Sequence, residues 1–525
     1  MIEDGRSIPR GTEIECDICI VGAGIAGLAM AEALEPSGAR IVLLESGGLE
    51  PGSADPSFNT GTSNDNSYPF ELSRTRGLGG TSALWTGVCI PLDASDFEPR
   101  NWLPHSGWPI GLDTVEPFYP QASAFFGLPE EHPLERELDA SRFASASLKP
   151  KPLLYAERKV LGPLHEPVLK RTENVRCILN ATVTGLAPDA AHRSVTRIDV
   201  GHEGGAFSVA PRIVVLATGG IENARILLNA AAAEGGGIFN PHDVLGRYHM
   251  EHPIRIAAVL PLNGQSRDAR LFSDVVPRDG VISHGTLGLP REIRDREGLL
   301  DLHLRFYRYS LREAHTAVVR GKALAEAGPT LAGVKQYLAE HAAALPGVVA
   351  PYLAWHAMNK LFHSAPFGHA RMTALFEQEP DPENRITLSG IRDGLGIPLP
   401  HLHYRESAFM AESHRRSLAL LRDALLAQGF GKLEFQEEAL AHLRPYDKHG
   451  LHPMGSTRMA DDPKQGVVDA ECKMHGIENL FVTGSSVFPT GGAANPTLTI
   501  VALAFRLADR LRASLAQPSP QPQSP

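Results

Sequence analysis

Cysteine is scarce in this chain: five in 525 residues, at Cys16, Cys19, Cys89, Cys177 and Cys472. So few and so scattered a set excludes a disulfide-stapled scaffold and fits a reducing compartment. Cys16 and Cys19 have the C-x-x-C spacing of redox and metal motifs, but they lie in CDICIVGAG, a run that reads as a buried strand. Residues three apart on a strand point to opposite faces, and no second pair completes a metal site. Both therefore read as core cysteines, and no metal is expected. No run of about 18 apolar residues occurs, which excludes a membrane-spanning helix. The opening MIEDGRSIPRGTEIE lacks the charged-then-apolar order of a signal peptide and has no twin arginine, so a cytoplasmic protein is expected. Basic charge is also in deficit. A formal net charge of −10 argues against a nucleic-acid partner, because phosphate binding needs clustered Lys and Arg.

What is present is enough chain for more than one core, so two domains, consecutive or interleaved, are expected. The first strong element is residues 16–23, an apolar run ending at Gly22. A helical pattern follows to Leu34, then a second strand over Arg40–Leu44. That is a β-α-β unit of about 30 residues. Strand-turn-helix patterns recur at RIVVLATGG–IENARILLNA and at NLFVTG followed by a helix beginning near Pro496. Between about 251 and 445 the texture changes. Alternation over Ile254–Leu260, Asp301–Tyr307 and Arg371–Gln378 predicts an antiparallel sheet, and 311–362 reads as amphipathic helix used for packing or as a lid. The tail, 516–525, has a disordered composition.

Gly22-Ala23-Gly24-Ile25-Ala26-Gly27 is G-x-G-x-x-G placed where a strand turns into a helix. The first Gly permits the tight turn, the second lets backbone approach a pyrophosphate, and the third lets helix and strand pack closely. The helix N-terminus supplies the favourable field for phosphate. The second strand ends in Glu45, followed by Ser46, where a ribose hydroxyl would be bound. The motif predicts a dinucleotide but does not choose between NAD and FAD.

Further residues carry a family resemblance. Arg76-Gly77-Leu78-Gly79-Gly80-Thr81-Ser82, ATGGIENARILL, HPMGSTRM and NLFVTGSSVFPTGGAANPTLTIVALAFRLADRL resemble the glucose–methanol–choline (GMC) oxidoreductases over most of the chain. Within that family the likeness is nearest to bacterial members and pyranose oxidases. The resemblance implies FAD, and an α/β FAD-binding Rossmann-like domain with a second α+β substrate domain built on an antiparallel sheet. The segments expected are 1–122, 172–250 and 446–515 for the FAD domain, with 123–171 and 251–445 for the substrate domain.

By the same resemblance His452 and Asn495 are the catalytic pair. Imidazole has an ordinary pKa of about 6.5 and can take the hydroxyl proton at neutral pH, while the amide holds the substrate oxygen without titrating. Pro496 and Thr497 open a helix whose positive end would stabilise charge on the flavin, with Asn495 also available as its cap. The cofactor-binding set is Gly22, Gly24, Ile25, Ala26, Gly27, Glu45 and Ser46 from the fingerprint, then Arg76, Gly79, Gly80 and Thr81. Val183, Thr218, Gly219, Asn223, Gly484 and Ser485 complete it with Asn495, Pro496 and Thr497. Leu84, Trp85 and Thr86 belong to it as well. Some relatives attach FAD through a His that this chain replaces with Leu84, so the flavin is expected to be non-covalent, and Thr86 matches a residue near flavin N5. His249 and His252, in GRYHMEHP, are expected to be structural, and Gln378 to line the substrate pocket.

The implied reaction is oxidation of an alcohol on a sugar, glycoside, amino sugar or polyol, with oxygen or another acceptor taking the electrons. Competing expectations are lyase-type chemistry on the same fold, a nicotinamide dehydrogenase, and a non-catalytic flavin-binding subunit. The intact His452/Asn495 pair counts against the first, and the GAANPTLT stretch is unexplained by the second.

Overall fold

A computed structural model describes residues 1–64, 68–235, 237–261, 271–272, 276–278, 280–308, 369–429 and 449–515. The helical stretch expected at 311–362 and the tail at 516–525 lie outside the described residues.

Among those residues, eight strands form a mixed sheet in the order β1 (Ile2–Asp4), β7 (Val175–Leu179), β3 (Ile41–Leu44), β2 (Glu13–Val21), β10 (Gly205–Leu216), β9 (Val195–His202) and β8 (Thr182–Pro188). The eighth, β18 (Leu480–Val482), pairs with the upper end of β10. The strands from β1 to β10 and β18 are parallel, while β10, β9 and β8 form an antiparallel extension. Parallel strands are covered on both faces, which explains why CDICIV is apolar without alternation. Ile18, Cys19 and Ile20 are fully buried, and Cys16 and Cys19 are free core thiols as their strand setting requires. The helices Ile25–Leu34 and Thr497–Leu515 pack on each other over this sheet.

The second sheet is antiparallel, in the order β11 (Ile254–Pro261), β15 (His369–Phe376), β14 (Leu302–Arg308), β13 (Val281–Gly288), β6 (Lys149–Tyr155) and β5 (Val88–Cys89), with β12 (Val276–Arg278) on β13. It includes the three strands expected from alternation, each shifted by at most two residues at its start. One face is apolar: Leu302, Leu304, Phe306, Ala374 and Phe376 pack with Leu134, Leu138, Leu418, Leu421 and Leu425 from two flanking helices. The alternate residues of β14, His303 and Arg305, are also buried but point the other way, toward the parallel-sheet domain. A third small sheet, β16 (Arg385–Arg392), β17 (Pro398–His403) and β4 (Thr62–Ser63), ties the late chain to the early chain.

That tie is reinforced by buried charge. Glu222 meets Arg74 at 3.2 Å, Arg76 at 2.9 Å and Arg225 at 3.3 Å, and Arg225 also meets Asp393 at 2.6 Å. Burial opposes ionisation of Glu222, but Arg225, Arg76 and Arg74 outweigh it and bring its pKa down to about 2. A depressed carboxyl contributes stability that is present above its unfolded pKa of about 4.3 and is lost as pH falls toward 2. Glu222→Gln leaves three guanidiniums short of a carboxylate and is expected to cost about 3–5 kcal/mol. Urea unfolding at pH 7 and pH 3 checks this: the gap between wild type and variant should narrow in acid.

Candidate active site

The C-terminal ends of four parallel strands, β2, β3, β10 and β18, each feed a loop with a candidate residue on it, which is where open α/β sheets bind ligands. At the end of β2, Gly22 has φ +99°, and a Cβ there would meet the Ala217 carbonyl at 2.9 Å. A Cβ on Gly27 would lie 1.8 Å from the Gly22 carbonyl, so backbone and helix touch. Gly24, by contrast, faces open space and caps its helix without a side-chain hydrogen bond. The first-turn amides of Ile25, Ala26 and Gly27 thus meet no capping side chain. Beside this loop Gly79 donates its N–H to the Ala23 carbonyl at 2.9 Å, and a Cβ on Gly80 would come to 3.0 Å from the Gly24 Cα. The two Gly-rich segments therefore form one rim.

The Glu45 carboxylate stands at the end of β3 and accepts N–H groups from Ala23, Gly47 and Gly77, each at 2.9 Å. Burial pushes its pKa up, against those three amides. A carboxylate has about four acceptor positions, so one remains for a ribose hydroxyl. Across the crevice, Gly219 (φ +87°) and Gly484 (φ +103°) both face open space, and Thr483 has a buried hydroxyl with no partner among the described residues. Uncapped amides, a partly satisfied acid and an orphaned hydroxyl around one crevice fit a dinucleotide.

The second constellation lies where the two larger sheets meet. Met250 and Met454 exchange backbone hydrogen bonds, at 3.0 Å and 2.9 Å, and so zip the 249–252 segment to the 449–455 segment. This brings His252 against His452, Nδ1 to Nδ1 at 3.0 Å. His252 Nε2 lies 2.9 Å from the Gly492 carbonyl, and Asn495 Nδ2 lies 3.2 Å from His452 Nε2. Arg305 Nη2 donates to Asn495 Oδ1.

These contacts fix where the protons are. A carbonyl only accepts, so His252 carries its proton on Nε2 and presents a bare Nδ1. His452 must then donate from Nδ1, which leaves its Nε2 as a bare lone pair. The Asn495 oxygen is claimed by Arg305, so the amide turns its NH2 toward that lone pair. Burial, then His252 and Arg305, hold the His452 pKa well below the imidazole range, and burial takes His252 down to about 4. Both rings are neutral at pH 7. His452 is the half-buried member of the pair, and His252 is sealed.

Several residues read from the sequence take other roles. Gln378 is buried with both ends of its amide on backbone: Oε1 accepts from Glu251 N at 2.9 Å, and Nε2 donates to the His249 carbonyl at 3.1 Å. It clamps the loop that carries His252 and presents no wall to a substrate. Asn223 accepts from Thr218 N and Oγ1, and donates to the Thr483 carbonyl at 3.0 Å and to Ser486 Oγ at 2.9 Å, so its amide is spent holding two strand ends together. The Arg76 guanidinium is committed to Glu222 and to the Phe58 carbonyl. Val183 is buried in the apolar core, Ser46 Oγ is paired with Thr182 Oγ1, and Ser485 Oγ donates to the Pro453 carbonyl. Asn495 does not cap the final helix with its side chain. That helix starts at Thr497, with Ile500 N donating to the Pro496 carbonyl. Thr81 lies in a short turn of helix, Leu84 and Thr86 are exposed, and Trp85 donates Nε1 to the Lys159 carbonyl.

Residues 380–504 match the family model described as GMC oxidoreductase, and residues 20–72 match the NAD(P)-binding Rossmann-like domain. Residues 380–504 thus form a GMC oxidoreductase C-terminal domain. It is 23% identical to the fructose dehydrogenase large subunit of Gluconobacter japonicus, over 96% of this chain and 99% of that one. With the paromamine 6'-oxidase of Streptomyces fradiae it shares 25% identity, over 95% and 92%. Its fold resembles that of Aspergillus oryzae formate oxidase, studied for FAD modification, with a TM-score of 0.56 and 17% identity over 97% and 99% of the two chains. For a GMC oxidoreductase with this crevice, FAD is the cofactor indicated.

Three further side chains stand at the His452–Asn495 pair without a sequence signal that marks them. His252, expected to be structural, sets the proton position of His452. Glu251, fully buried, accepts from His452 N at 2.6 Å and from the Tyr68 hydroxyl at 2.7 Å, and burial carries its pKa up to about 8. Arg305 comes from β14, and its only signal was the polar half of an alternating strand, the same pattern as a solvated face.

Proposed function

We propose that this GMC oxidoreductase oxidises a CH–OH group of a sugar, glycoside or related polyol, with His452 Nε2 as the group that takes the hydroxyl proton. The observation that supports this most strongly is the one-way run of hydrogen bonds from Asn495 through His452 and His252 to the Gly492 carbonyl. It leaves a neutral, proton-free nitrogen at the one half-buried position in the run. FAD, when bound, supplies the hydride acceptor. The chain's own residues do the rest: Asn495 offers an N–H toward the substrate oxygen, Arg305 holds that amide in one orientation, and Glu251 anchors the His452 backbone. The fingerprint loop, Glu45 and the Gly79–Gly80 rim hold the dinucleotide, and the lack of a nucleophilic atom on Leu84 supports a non-covalent flavin. The sugar-directed names of the two relatives support the substrate class. We place the protein in the cytoplasm, with oxygen or another small acceptor as the oxidant. We assign 1–122, 172–250 and 446–515 to an FAD domain and 123–171 and 251–445 to a substrate domain.

The pH dependence tests the base. Only neutral His452 accepts a proton, and a depressed pKa keeps it neutral from well below 6.5 upward. Anaerobic flavin reduction followed from pH 5 to pH 9 should therefore show no loss of rate centred near 6.5. An acid limb at that pH would remove this environment from the account.

A further inference from the structure

Arg305 holds more charge than its known contact uses. It is 8% exposed, and Nε is buried with no hydrogen-bond partner among the described residues. Its described hydrogen bonding uses one nitrogen, Nη2, on the neutral Asn495 amide. Other buried guanidiniums, among them Arg100, Arg294 and Arg458, also leave Nε unpaired, but their charge is compensated. Arg100 forms a two-pronged pair with Glu377 at 2.8 Å and 2.5 Å, Arg294 meets Asp301 at 3.2 Å, and Arg225 meets Glu222 and Asp393. Arg458 has no carboxylate but lies over the Tyr248 ring, 4.6 Å from its centroid, and donates to the His105 carbonyl. Arg305 has neither an acid nor a ring among the described residues. The histidines on which its charge acts, His452, His252 and His303, all have pKa values held below the imidazole range, chiefly by burial.

An isolated buried charge is costly, and a protein keeps one where something else completes the pair. Arg305 is on β14, on the sheet face turned away from the apolar core, and its strand partner on that face is the half-buried Thr373. It touches the residue that touches the base. We infer that the substrate is an anion: a polyol or sugar acid whose carboxylate is received by Arg305 while a nearby carbinol lies at His452 and Asn495. A guanidinium offers parallel N–H donors that match a carboxylate, and here Nε is free for one of them. The same charge counts against an amino sugar with its ammonium near the reacting carbon. The inference rests on the alcohol-oxidation reading for the position of the carbinol, but the anion site itself does not require turnover.

The test therefore has two arms. In the first, holoenzyme is titrated with acetate, glycolate and lactate, and the flavin absorbance change and melting temperature are followed. Wild type should bind a carboxylate at least about tenfold more tightly than Arg305→Met, with Arg305→Lys between them, as expected for loss of a charge-assisted contact. In the second arm, anaerobic flavin reduction is compared for gluconate and sorbitol. The ratio of kcat/KM for acid over neutral substrate should fall at least tenfold in Arg305→Met. Using the ratio cancels any damage to the Asn495 orientation, which both substrates share. Equal carboxylate affinity in wild type and Arg305→Met, or no binding to either, overturns the inference. So does an unchanged substrate ratio, or a lowered flavin potential in Arg305→Met as the sole effect, which would assign the charge to the cofactor. Carboxylate binding that depends on Arg305 in an enzyme whose flavin no alcohol reduces would keep this site and remove the alcohol-oxidation reading instead.

Discussion

The His452→Ala enzyme is expected to retain its flavin and to reduce it at least about a hundredfold more slowly than wild type with the same alcohol, the usual scale for loss of a general base. The magnitude follows from how singular this nitrogen is. The His252 ring has one nitrogen on the Gly492 carbonyl and the other on His452, so it has no lone pair left for a substrate. Asn495 presents a donor toward the same point, and an amide does not accept a proton at neutral pH. Glu251 touches only the backbone of His452 and is kept from ionising by burial. No described neighbour is placed to substitute. Stopped-flow reduction with matched flavin occupancy measures the effect, and an unchanged rate would take His452 out of the chemistry.

The second large effect concerns the fingerprint helix. Gly27→Ala puts a methyl carbon 1.8 Å from the Gly22 carbonyl oxygen, a backbone atom in the turn itself. A side-chain clash relaxes by changing rotamer, but this one relaxes only by separating helix from strand. Gly22 has no latitude either, since its own φ is +99° and the Ala217 carbonyl crowds it from the other side. Moving the helix displaces the uncapped amides proposed to face the dinucleotide, so cofactor loss and destabilisation should occur together. The purified variant is expected to be colourless, with a melting temperature well below wild-type apoprotein. Full flavin occupancy at wild-type stability would contradict the close packing described here.

Legibility in the sequence followed the range of the physics involved. The β-α-β unit was readable because each of its devices is local: an apolar run, three glycines at fixed spacing, and an acid at the end of the next strand. The antiparallel strands were readable for the same reason, since Leu302, Leu304 and Phe306 alternate with His303 and Arg305. Alternation reports that a strand has two unlike faces, but it does not report what the polar face meets. Arg305 was therefore invisible as a site residue until the two larger sheets were set against each other. His252 was missed because its role depends on a carbonyl 240 residues away, at Gly492. Asn223, Gln378 and Arg76 were read as ligand contacts because polar residues beside a crevice look alike in sequence. Only their hydrogen-bond partners show that the Asn223 and Gln378 amides are spent on the protein itself and that Arg76 is held by Glu222 and the Phe58 carbonyl.

The central claim is that a neutral, oriented His452 and a flavin act together on an alcohol. The most direct test is the anaerobic visible spectrum of the purified holoenzyme before and after a panel of neutral sugars, polyols and sugar acids. The account predicts a flavin spectrum that bleaches with one class of these compounds in the wild type and stays oxidised over the same interval in His452→Ala. A flavin that no member of the panel bleaches, or one that bleaches equally fast in both proteins, would contradict it.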